Sequence, residues 1–167
     1  MTKKDKNPNI PETVPCVYGE LEYEKFKSKY SDVYSQVSNA SHLLTGRVTV
    51  EVQLAGLTVK VQSLRPTEQS LLMGMFPTDL ESGQAATQLG TYEMYKVAAA
   101  LVSAGGTTYP ALTTRVGTTS EEFVESLKDT VEAVNSMDPT LVSFISNVYE
   151  DMGRAKQLAF VENHTRP

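Results

Sequence analysis

Few residues in this chain are of types that do chemistry, and their spacing gives them little to work with. The histidines are His42 and His164, and the one cysteine is Cys16. A side-chain nucleophile needs a base held beside it. His42 lies in a Ser/Asn-rich link, Ser38 to Thr45, and His164 is three residues from the end, so both read as solvated side chains. Cys16 has no basic neighbour or charged helix start that would lower its pKa, and reads as inert. Metal sites need clustered His, Cys or carboxylates. Glu20, Glu22 and Glu24 interleave with Leu21 and Tyr23 and precede Lys25, the pattern of a wet helix face. Glu121, Glu122 and Glu125 fall in a first helical turn, where acids complement the helix dipole. Gly105-Gly106-Thr107-Thr108 lacks the lysine of a phosphate loop and follows a helical pattern rather than a strand. Tyr18, Tyr23, Tyr30 and Tyr34 could stack on bases, but acids dilute the basic stripe that should accompany them. These residues nominate no catalytic, cofactor-binding or metal-binding set.

The elements around them are easier to read. Val48, Val50, Val52 and Leu54 alternate with Thr49, Glu51 and Gln53; after Ala55-Gly56, Leu57, Val59 and Val61 alternate with Thr58, Lys60 and Gln62. Two period-two runs about a short turn predict a β-hairpin with one buried face. Such a hairpin is marginal alone and needs a cover. Pro66 suits a first helical turn, and Leu71, Leu72, Met75 and Phe76 then recur at helical spacing until Pro77.

Before the hairpin, Tyr23, Phe26, Tyr30, Val33, Tyr34 and Val37 form an aromatic stripe on a helix from about Glu20 to Asn39, facing either its own domain or a partner. After Pro77 a loop is expected over Thr78 to Gln88. A helix capped by Thr91 follows, carrying Met94, Val97, Ala98, Leu101 and Val102, and Gly105-Gly106 ends it. Residues 105–118 read as a polar loop. Thr119 and Glu122 form a capping box ahead of Phe123, Val124, Leu127, Val131 and Val134. Asp138-Pro139 starts a last helix whose apolar face is Leu141, Phe144, Ile145, Val148, Met152, Ala155 and Ala159. Residues 1–16, polar and interrupted by Pro8, Pro11 and Pro15, have no local means of folding and read as an extended arm laid on a neighbouring subunit.

Composition bounds the class. With 167 residues, 40% hydrophobic and 21% charged, the chain can build one core of ordinary size. A net charge of -5 argues against general affinity for nucleic acid or anionic membrane. One cysteine allows no intrachain disulfide. No apolar run approaches the ~20 residues of a membrane span. Met1 to Lys6 is charged without an apolar stretch behind it, so no secretory signal is expected.

The hairpin, then Leu64-Arg65-Pro66-Thr67-Glu68 opening a helix, then a helical body, resembles small tail-morphogenesis proteins of tailed bacteriophages, of the tail assembly chaperone and baseplate-hub type. The likeness covers residues 45–161. In that family a run like L-R-P-T-x-x-E follows the strand pair; here Glu68 comes directly after Thr67. The resemblance implies a non-enzymatic role in virion assembly, synthesis in the host cytoplasm and many protein contacts. It carries no catalytic residues and no cofactor.

The resulting expectation is a mostly helical α+β fold. One antiparallel hairpin packs on four or five helices in a single domain, 17–167, behind the arm, 1–16. The expected partners are other virion proteins or copies of itself, with no nucleic acid, membrane span or small-molecule substrate. The residues expected to meet them are Pro8, Pro11 and Pro15 of the arm, Tyr23, Phe26 and Tyr30 of the stripe, and Leu72, Met73, Met75 and Phe76. The last four belong to the run 71–76, apolar at every position but Gly74, where one core-facing stripe would use about half. Three functions stay open: a retained tail or baseplate component, a transient tail assembly chaperone, and a small enzyme with an acidic pair that the spacing does not reveal.

Overall fold

Ala55 and Gly56 take φ of 49° and 83°, so the first hairpin turns through two left-handed residues. That is the two-residue turn whose twist matches its strands. A computed structural model describes residues 20–37, 46–76, 82–110 and 117–164. The arm, with Pro8, Pro11 and Pro15, lies outside them, as do Cys16, Tyr18 and His42. The described residues hold seven helices and four strands. They are α1 (Glu20–Lys29), α2 (Ser31–Val37), β1 (Thr49–Leu54), β2 (Leu57–Gln62), α3 (Pro66–Met75), α4 (Ser82–Ala100), β3 (Leu101–Ala104), β4 (Thr107–Thr108), α5 (Ser120–Ser126), α6 (Lys128–Asn135) and α7 (Pro139–His164). The mostly helical α+β class is as expected, and the sheet is antiparallel in the order β1-β2-β3-β4.

The second hairpin departs from the expected helix over Leu101 and Val102 and from the expected loop over 105–118. α4 starts at Ser82, not at a Thr91 cap, and passes at Ala100 directly into β3. Gly105 and Gly106, at φ of 56° and 85°, form the β3–β4 turn rather than a helix end. The positive φ at Gly105 is what favours glycine there; a Cβ would meet only the movable end of Leu57, Cδ1 at 2.6 Å. β3 pairs with β2, Lys60 opposite Ser103 and Val61 opposite Leu101, and the intervening Val102 makes a bulge. The abrupt end of α4 leaves late carbonyls without helical partners. Gln62 Nε2 donates to one of them, Ala99 O, at 3.3 Å.

The chain divides into two compact units, Met1–Val50 with Asp151–Pro167, and Glu51–Glu150. In the second, Leu64, Leu72, Ala99, Phe123 and Leu127 form a buried cluster, edged by Leu71, Tyr92, Tyr95, Val124, Val131 and Tyr149. α3 packs on α5 and α4 on α6. Gly74 permits the first approach, since a Cβ there would lie 2.5 Å from Ser120 Oγ. Pro66 begins α3, and Glu68 turns back to accept the Arg65 N–H at 2.8 Å. The Thr119/Glu122 capping box is present in both directions, at 3.2 and 3.0 Å. The helix it starts breaks at Leu127 into α5 and α6. Asp138 Oδ1 accepts the Thr140 N–H at 2.8 Å at the start of α7, which holds its carboxyl below the usual range.

In the first unit the expected single helix is two, broken at Tyr30. Tyr23, Phe26, Tyr30, Val33 and Val37 are buried, as are Met152, Ala155 and Ala159 of α7. Tyr30 donates to Asp151 Oδ2 at 3.0 Å, and Lys156 donates to Gly46 O at 3.0 Å.

Candidate functional site

The residues nominated for partner contact divide sharply. Tyr23, Phe26 and Tyr30 are buried within the chain, with Phe26 and Tyr30 ring to ring at 4.9 Å. Tyr23, Phe26 and Tyr30 are therefore interior in the single chain, while Tyr34 of the same stripe is half-buried; helical spacing alone could not distinguish the two. Leu72 is likewise buried, in the cluster of the second unit. Phe76 packs on Tyr92 and Tyr95, at 6.0 and 5.5 Å between ring centres, and is half-buried, as is Met75. Of the run 71–76 only Met73 is an exposed large apolar side chain, at 55%. The apolar excess is explained mainly by a helix buried on more than one side.

Among the described residues, two clusters of ionisable groups form around a buried charge in an ion pair. In the first unit Glu162, near the end of α7, is buried. It accepts from Tyr23 Oη at 3.1 Å and from Lys27 Nζ at 2.6 Å. Burial first, and the neighbouring Tyr34 second, push the Tyr23 phenol far above its ordinary range. It is a donor locked to its acceptor. Burial raises the Tyr34 phenol too. Tyr23 and Tyr30 are buried in the chain's own fold, so neither can stack on bases.

In the second unit Lys96 is buried on α4 and donates to Glu93 at 2.9 Å and Glu150 at 2.7 Å, 5.5 Å from the centre of the Tyr149 ring. Burial alone would lower the pKa of this ammonium; the two carboxylates outweigh it and the net shift is upward. Lys96 is therefore held charged and is no base. Ser146 Oγ donates to Glu93 Oε2 at 3.3 Å. That carboxylate also pairs with Lys96. Beside it is an open cleft of about 280 Å³ between α4 and α7, lined by Gly90, Glu93, Met94, Val97, Val142, Ser143, Ser146 and Asn147.

Both clusters escaped the sequence reading. Glu93 and Lys96 are three apart on a helix, a legible pair, but Glu150 is far along the chain. Glu162 sits in a polar tail whose sequence gives no hint of burial. Four of the acidic groups that were legible are accounted for locally. Glu122 caps α5, Glu125 lies 3.5 Å from Lys128, and Glu24 and Glu121 are exposed. Among the described residues no three His, Cys, Asp or Glu converge to hold a metal, and no helix is long and apolar enough to cross a membrane. Comparison with protein-family models, curated proteins and solved structures gave no match.

Proposed function

We propose that this chain is a non-enzymatic structural protein of a tailed-phage particle, a tail or baseplate component working through protein contacts. The observation that supports it is the order of elements: the β1–β2 hairpin is followed at once by Leu64-Arg65-Pro66-Thr67-Glu68 opening α3, and then by a helical body. The clusters at Lys96 and Glu162 suit that reading, because their charges hold the fold together rather than face a substrate. Copies of the chain or other tail proteins are the partners in this view, and the particle assembled in the host cytoplasm is its place. The test is mass spectrometry of purified intact particles from the source of the sequence. Stoichiometric presence is expected. Absence from particles, with co-purification of a long tail protein from the infected cell, would replace this reading with that of a transient assembly chaperone.

A further inference from the structure

Gln36 of α2 behaves as a fragment of a missing strand. Its Nε2 donates to Thr49 O at 2.7 Å and its Oε1 accepts the Thr49 N–H at 3.0 Å. Both main-chain groups of Thr49 therefore point out of the sheet at the free side of β1, the outermost strand of the order β1-β2-β3-β4. Backbone direction repeats every two residues in a strand. The N–H and C=O groups of Glu51 and Gln53 point the same way, and among the described residues nothing bonds them. This edge has no proline, one of the usual devices that blunt an edge strand. The opposite edge is blunted by length, since β4 is only Thr107–Thr108.

We infer that this edge pairs with β1 of a second copy, antiparallel about a two-fold axis at Val52, making a continuous sheet across two molecules. The strand is complementary to itself in that register. Val52 faces Val52 of the other copy and Val50 faces Leu54, so the apolar side chains share one face. Glu51 faces Gln53 on the wet face, an acceptor against an amide. Thr49 would face Ala55, where the other strand ends in its turn, and that is where the Gln36 clasp takes over. A slip by one residue would set apolar against polar faces, and the register centred on Glu51 would oppose two carboxylates. Val52 and Leu54, half-buried in the single chain, gain a cover. The contact is short, which makes the dimer weak and dependent on concentration. The inference does not depend on the virion reading.

Sedimentation velocity of the full chain over a range of concentrations tests it, with Gln53→Lys and Gln53→Glu. Gln53 Nε2 donates to Thr58 Oγ1 at 2.7 Å, a contact both variants can keep, Lys as donor and Glu as acceptor of the hydroxyl. Gln53→Lys places an ammonium opposite Glu51 twice per dimer and should tighten association roughly fivefold; Gln53→Glu should weaken it by a similar factor. Gln157→Lys and Gln157→Glu, on an exposed position of α7, make the same changes in net charge and should do far less. A chain monomeric at every concentration overturns the inference. So does a dimer whose constant ignores the sign at Gln53, or follows Gln157 equally.

Discussion

Each compact unit has a buried charged side chain held in an ion pair, Glu162 in one and Lys96 in the other, and the two are of opposite sign. Glu162 is buried with Lys27 as its partly exposed partner; Lys96 is buried with Glu93 and Glu150 as its exposed partners. The symmetry ends at what else each group holds. The carboxylates around Lys96 keep access to water, so losing the ammonium leaves them solvated. Glu162 is also the acceptor for Tyr23, whose side chain is sealed from solvent at 1% exposure. Losing Glu162 takes the carboxylate acceptor from a hydroxyl that water cannot reach, leaving only the neighbouring Tyr34 phenol beside it. A buried charge matters to a fold through the buried polar groups that depend on it, more than through its own ion pair.

That difference sets the size of the expected effects. Glu162→Leu should cost about 3 kcal/mol in chemical denaturation, combining loss of the carboxylate acceptor of Tyr23 with loss of the pair. Adding Tyr23→Phe should recover part of it, because donor and acceptor then go together; a cycle with no coupling would break the comparison. Alkaline pH should come next. The Tyr23 phenol and the Lys96 ammonium are both raised in the fold, from ordinary values of 10.0 and 10.5. A raised group favours its protonated form in the folded state. Each contribution is therefore complete below its unfolded value and is lost as pH rises above it. Denaturation midpoints should be flat, as far as these two groups act, up to about pH 10 and fall beyond it. Tyr23→Phe should make that fall shallower. Smallest of all, Lys96→Met should shift stability by no more than about 1 kcal/mol in either direction, since a methionine fills the space and no buried group is stranded. A loss as large as that of Glu162→Leu would mean the two clusters are equivalent.

The two hairpins show how unevenly sequence reports structure. β1 and β2 were legible because each runs six residues with apolar and polar types in strict alternation, and Val50, Glu51, Val59, Lys60 and Val61 are buried or exposed as that pattern requires. β3 and β4 are four and two residues long, too short for alternation to register. Leu101 and Val102 also continue the helical spacing of Val97 and Ala98. The cue was present: Gly-Gly flanked by Leu-Val-Ser-Ala and Thr-Thr is a hairpin pattern. Gly-Gly closes a helix equally well, and only pairing with β2 separates the two. Caps were the most legible features. Thr119 with Glu122, Asp138 with Pro139, and Pro66 are local chemistry, satisfied within three residues whatever lies around them. The nominated contact residues fared differently. Tyr23, Phe26, Tyr30 and Leu72 carry the right chemistry for an interface, but burial is a property of what packs on them.

Local sequence determined the first hairpin, the helix starts and the mostly helical α+β class, because alternation and capping act between residues a few positions apart. The tertiary structure decided which apolar stripes are interior, where α4 becomes a strand, and which charges lie beneath the surface. Those outcomes join Tyr23 to Glu162, Lys96 to Glu150 and Val61 to Leu101. No short window of sequence contains both members of any of these pairs, and the free energy of burying one depends on the other being there.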